Sequence, residues 1–180
     1  MTVAGLVLAA GAGTRFGEPK APVVVDGERL VDRSVRVLRA GGCDPVIVVL
    51  GAWVGEVPDA TVVVNDAWSE GMGRSLRVGL EACARTDAEA VVVTLVDLPG
   101  LTEEAVHRIA VADGSIVAAA YAGQRGHPVR FARALWPEVE ASAEGDAGAR
   151  AFLAGRTDLM LVEVGDVAAG TDLDTPPDAA

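Results

Sequence analysis

Residues 8–20 read LAAGAGTRFGEPK and directly follow an apolar run, Val3 to Ala10. That run lacks polar alternation, which predicts a strand buried on both faces of a sheet. Gly11, Gly13 and Gly17 then surround Arg15, and the stretch closes at Lys20. Glycines accept positive φ and let backbone N–H groups approach an anion, while a cation at each end neutralises phosphate charge. By its chemistry this is a phosphate loop.

Lys20 is the only lysine among the 15 Lys and Arg residues of the chain. A compact ammonium suits a point contact to a triphosphate in a crowded loop, where a planar guanidinium does not substitute. The alternative is a lysine that chance left on a solvated surface.

The 180 residues suffice for one sizeable core, so a single domain spanning 1–180 is expected. With 51% hydrophobic but only 4% aromatic residues, that core must be built from Val, Ala and Leu. No apolar run approaches the roughly 18 residues that span a bilayer. The first cation, Arg15, comes after the N-terminal apolar stretch, so no secretory n-region precedes it. Cys43 and Cys83 form no CxxC and read as small buried hydrophobes in a reducing compartment. A cytoplasmic location without membrane contact is expected. The net charge of −11 argues against general nucleic-acid binding, so a polyanion would have to be held locally by a few cations, oriented N–H groups and a metal.

Strand and helix signals alternate along the chain, the pattern of a three-layer α/β domain. After a short apolar piece, 21–25, Asp26-Gly27 marks a turn, and Leu30, Val31, Ser34, Val35 and Leu38 fall at helical spacing. Strands are expected at 46–50, 62–64, 90–96, 115–121 and 159–164. Helices are expected from the Gly71–Ser75 turn to Arg85, from a Thr102 cap to Val111, at 133–139, and from an Asp146 cap to Gly155.

Four further features carry chemistry. Gly71, Gly73 and Ser75 open a helix and could hold a base or phosphate, or merely start a helix. Asp97 follows the most hydrophobic strand at the edge where open α/β sheets bind ligands, a candidate metal ligand or a turn aspartate before Pro99. Gly123, Gly126 and Pro128 predict a tight hairpin with His127 at its tip beside Arg125, positioned for substrate or for a structural hydrogen bond. Asp172, Asp174 and Asp178 around Pro176-Pro177 suit a divalent cation, or form an acidic tail.

A GxGxxG fingerprint fails at Phe16, and a Walker A loop fails at Pro19-Lys20-Ala21. The spacing Leu8-x-x-Gly11-x-x-x-Arg15-x-Gly17-x-x-Lys20 instead resembles the signature of molybdenum-cofactor nucleotidyltransferases of the MobA/MocA type. The likeness continues in order through NDAWSEGMGRSL, Asp97-Leu98-Pro99, GQRGHPVRF, GDAGAR and DLDTPPD. It implies a Rossmann-like nucleotide-diphospho-sugar transferase fold with a mostly parallel central sheet. It also implies transfer of a nucleotidyl group to a phosphorylated acceptor with loss of pyrophosphate. LAAG, through Ala10, sits closer to the cytidylyltransferases than to relatives carrying LAGG, which favours CTP and the molybdenum cofactor.

On this resemblance Leu8, Ala9, Ala10, Gly11, Ala12, Gly13, Arg15, Lys20, Gly71, Gly73 and Ser75 bind the nucleotide. Arg15, Lys20 and Asp97 serve catalysis, Asp97 and Asp174 hold Mg2+, and Arg125 and His127 face the acceptor. Leu98 stands where the family often has Gln or Met, which removes a side-chain hydrogen bond near the acceptor, and Pro177 replaces the usual acid, which leaves open whether Asp172 and Asp178 take part. Three rivals remain: a sugar-phosphate acceptor on the same fold, a nicotinamide-dependent reductase of pigments or other small molecules, and a non-catalytic nucleotide sensor or chaperone docking on a molybdenum hydroxylase.

Overall fold

The computed structural model describes residues 1–176, so Asp178 lies outside the described residues. Its centre is strand β1 (Val3–Ala9), buried along all seven residues. Alternate side chains serve opposite faces, as the twofold repeat of a strand requires. Val3, Val7 and Ala9 enter one apolar cluster, and Ala4, Leu6 and Leu8 enter the other.

A small hairpin of β2 (Val24–Val25) and β3 (Glu28–Arg29) turns through Asp26 and Gly27, both at positive φ. It leads into α1 (Leu30–Ala40), whose Leu30, Val31, Val35 and Leu38 are buried as the spacing predicted. Next come β4 (Val46–Leu50), β5 (Thr61–Val64), α2 (Met72–Cys83), β6 (Ala90–Leu95) and α3 (Glu103–Val111). Thr102 caps α3 by accepting the Ala105 N–H at 3.3 Å. The chain continues through β7 (Ile116–Tyr121), β8 (Gln124–Ala132), α4 (Trp136–Ser142), α5 (Arg150–Leu153) and β9 (Leu159–Glu163).

The main sheet has the order β5-β4-β1-β6-β8-β7-β9. It is parallel except where β8 runs antiparallel to both β6 and β7. One apolar cluster joins the sheet to α1 and α3, and the other joins it to α2, α4 and α5, giving three layers. Helix α2 comes close to β1 at Gly79, where a Cβ would lie 2.5 Å from Leu6 Cδ1. Among the described residues, no helix is long and apolar enough to cross a membrane.

From β1 the chain first moves to β4 on one side and returns later to β6 on the other. Leu8 pairs with both Val49 and Leu95, so the loops after β1 and β6 leave the sheet level with each other. A crevice at the carboxyl ends of the strands follows from that reversal of direction.

Two expectations need correction. His127 is not at a hairpin tip: the chain reverses at Ala122-Gly123, both at positive φ, and His127 lies within β8. Nor does Asp146 cap a helix: it sits in a 3-10 turn, Gly145–Ala147, and α5 is a single turn that starts at Arg150 after an Ala149 cap.

Candidate active site

The loop after β1 folds back on itself through Gly17 N–H, which donates to Gly13 O at 2.7 Å. Gly13 takes φ +61, and a Cβ there would overlap the Glu18 carbonyl oxygen. Glycine is therefore required by backbone conformation and by space together. The loop borders a cavity of about 470 Å3 whose walls include Leu8, Ala10, Gly11, Ala12, Gly13, Arg15 and Lys20. Gly71, Ser75, Asp97 and Asp174 face the same space.

At its β6 end, Lys20 Nζ donates to Asp97 Oδ2 at 2.8 Å. Oδ1 of Asp97 is buried without a hydrogen-bond partner. The chain that follows β9 crosses this edge as an extended strap. Leu173 N–H donates to Asp97 O at 2.8 Å while the Leu173 side chain packs on the core. Asp174 lines the first cavity and Asp172 a second one. Burial raises the Asp172 carboxyl above the usual carboxylate range; Asp97 and then Asp174 add to this and Lys20 opposes it. Among the described residues, no three His, Cys, Asp or Glu side chains converge as a metal-binding group.

Ser75 and Asn65 brace the start of α2. Asn65 Nδ2 donates to Ser75 Oγ at 3.0 Å, and Asn65 Oδ1 accepts the Ala67 N–H at 3.1 Å. Both residues are buried, so the Ser75 hydroxyl holds the loop as well as facing the cavity. Gly71 admits the 145–146 turn: a Cβ there would lie 2.7 Å from Asp146 Oδ1.

The second cavity, of about 450 Å3, shares Leu8, Met72 and Asp146 with the first. Arg125, His127, Arg150 and Asp172 surround it above Leu76, Val93 and Phe131. Tyr121 Oη donates to the His127 carbonyl at 2.8 Å. Burial lowers the His127 imidazole to about 4, with Asp97 opposing and Arg125 adding to the shift.

The structure thus gathers most of the expected residues along one edge of the sheet. Two stand apart. Ala9 points toward the α1 side and touches only a minor recess behind the loop. Gly73 faces the backbone of Ala143 and Glu144, where a Cβ would lie 2.6 Å from Glu144 N. Sequence reasoning missed Trp68, Asp146 and Arg150 as cavity residues. The GDAGAR stretch signalled the last two, but only as a match in order.

Residues 5–161 match the MobA-like NTP transferase domain family. Over 96% of its length the chain is 40% identical to nicotine blue oxidoreductase from Paenarthrobacter nicotinovorans, covering 92% of that protein. It is 32% identical to molybdenum cofactor guanylyltransferase from Rhodobacter capsulatus, over 86% of this chain and 82% of that one. Among solved structures, Rv0371c from Mycobacterium tuberculosis H37Rv superposes with a TM-score of 0.85 at 30% identity, covering 99% and 95% of the two chains. The same protein in complex with manganese gives a TM-score of 0.78 at 28% identity, covering 96% and 94%.

Proposed function

The chain belongs to the MobA-like NTP transferase family, and on that premise we propose that it moves a nucleoside monophosphate from CTP to the phosphate of a molybdenum-cofactor-type acceptor. An acceptor phosphate oxygen attacks the α-phosphorus, the bond from that phosphorus to the β-bridging oxygen breaks, and pyrophosphate leaves. The Lys20–Asp97 pair at the phosphate loop is the observation that carries this reading. Such a transfer needs in-line positioning and charge neutralisation more than acid–base chemistry. Arg15, Lys20 and the N–H groups of Ala12 and Gly13 take the triphosphate. The Gly71–Ser75 turn faces the base and ribose, and Arg125 and His127 face the acceptor.

A divalent cation fits the donors present. Asp97 Oδ1 is a buried oxygen without a partner, and Asp174 lines the same cavity. Two carboxylates completed by phosphate oxygens and water are the set that magnesium favours. When bound, Mg2+ would supply charge neutralisation on the phosphates and a template for their alignment.

Ala10 lines the cavity, and its place in LAAG, where guanylyltransferase relatives usually carry LAGG, supports CTP. GTP is the natural competitor, given the relative named a guanylyltransferase. In this reading residues 1–180 act as one cytoplasmic domain that docks on a molybdenum hydroxylase.

One observation favours a second reading, a nicotinamide-dependent reductase: the 40% identity to a protein named an oxidoreductase. A hydride transferase has no use for the Lys20–Asp97 pair, which weighs against it. A thermal-shift panel of CTP, GTP, ATP and NADPH, each with and without magnesium, separates the two. Ligand at about 100 times its Kd adds about 2.7 kcal/mol, a shift of several degrees at this size. A magnesium-dependent shift for CTP, followed by pyrophosphate release with a molybdopterin acceptor, is the expected result; a shift for NADPH alone overturns it.

A further inference from the structure

The first cavity has a wall that the phosphate chemistry leaves unused. Trp68 lies in the 3-10 turn Trp68–Glu70 after β5 and borders the cavity beside Ala10 and Gly11. Gly51, just beyond β4, makes its seat: a Cβ on Gly51 would lie 2.6 Å from Trp68 Cβ and 2.9 Å from Ala10 Cβ. Trp68 therefore stands on the β4 side of β1, and Asp97 on the β6 side. Two strand spacings, about 10 Å, separate those positions, so one elongated ligand can reach both.

Trp68 is held through its backbone, and its half-buried indole leans on the apolar cluster of the α2 side. The backbone N–H of Trp68 donates to Asn65 O at 3.2 Å, and its backbone O accepts the Gly71 N–H at 3.1 Å. Asn65 is in turn locked to Ser75. The other two tryptophans have polar or cationic partners in the protein. Trp136 is buried, with Nε1 donating to Phe131 O at 3.1 Å, and Trp53 lies under the Arg29 guanidinium at 5.7 Å. Among the described residues, Trp68 has neither an acceptor for its indole N–H nor a cation over its ring.

We propose that Trp68 is the platform on which the base of the nucleotide stacks, with Gly51 and Ala10 setting the width of that wall. The proposal rests on reading the first cavity as the nucleotide site. Every base has a π-face, so stacking supplies affinity without choosing between bases.

The test follows tryptophan emission while CTP with magnesium is titrated into the wild type, Trp68→Phe and Trp68→Ala. Affinities come in parallel from calorimetry, with inorganic tripolyphosphate as the base-free probe. CTP is expected to quench wild-type emission, and tripolyphosphate to bind without doing so. Trp68→Phe should lose most of the quench yet keep CTP affinity within about threefold, because a phenyl ring still stacks. Trp68→Ala should weaken CTP by roughly tenfold or more and leave tripolyphosphate affinity unchanged. Unchanged CTP affinity in Trp68→Ala, or equal losses for the two probes, overturns the platform and leaves the nucleotide site standing. A wild-type protein that binds no triphosphate overturns the nucleotide reading itself, and the platform with it.

Discussion

Lys20 and Asp97 stand 77 residues apart in the chain and meet across the crevice between β1 and β6, 17% and 20% exposed. The pair engages one carboxylate oxygen and leaves the other buried and unpartnered. Each charge is thereby held in place by the other while one carboxylate oxygen stays free. Lys20→Ala and Asp97→Ala should each lower pyrophosphate release by about a hundredfold or more, since both act on charge in the transition state. Circular dichroism should show an intact fold. Near-normal turnover in either variant removes that residue from the mechanism.

Gly13→Ala tests the loop itself. The positive φ alone costs an alanine about 1–2 kcal/mol, and overlap with the Glu18 carbonyl forces the loop open. A drop in melting temperature of a few degrees is expected, with a far larger loss of triphosphate affinity. Affinity equal to the wild type would show that the loop does not bind phosphate.

His127 gives a pH signature. Its folded pKa, about 4, lies below the ordinary 6.5 because burial disfavours the imidazolium. A histidine shifted down favours the folded state at pH above 6.5, and that contribution is lost as pH falls from 6.5 toward 4. The loss of stability between pH 7 and 5 should therefore shrink in His127→Asn. Imidazole proton resonances should show His127 neutral through pH 5; an inflection near 6.5 would show that water in the second cavity solvates this half-buried ring.

Burial pushes both Cys43 and Cys83 up to about 12. A thiol reagent at pH 8 should modify neither in the native protein and both in guanidinium, because the thiolate is the reactive form. Rapid labelling without denaturant would mean that one face of the sheet opens readily.

The central strands were legible because burial on both faces leaves long apolar runs, as in Val3–Ala9 and, broken only by the buried Thr94, Ala90–Leu95; β8, which carries Gln124, Arg125 and His127, gave no such run. The glycine loop and Asp97 were legible because their chemistry is local. Register was not. An alanine, Ala122, occupies the left-handed region at the β7–β8 turn, so the glycines and proline downstream drew the reversal to the wrong place. His127 consequently moved from a tip into a strand. Gly73 also has a packing role that its place at a helix start did not show: its missing side chain admits the Ala143–Glu144 backbone. Trp68 carries no local mark, since an aromatic residue at a cavity wall and one in the core look alike until neighbouring strands are in place.

The strap bearing Asp172 and Asp174 ties back to Asp97 through Leu173, so the site draws on residues from 8 to 174. A domain folds as a unit, so this wall forms together with the sheet it leans on. A chain shortened before residue 165 would keep the glycine loop, Lys20 and Asp97 but lose the Leu173 tie and both strap carboxylates, leaving the crevice open on that side.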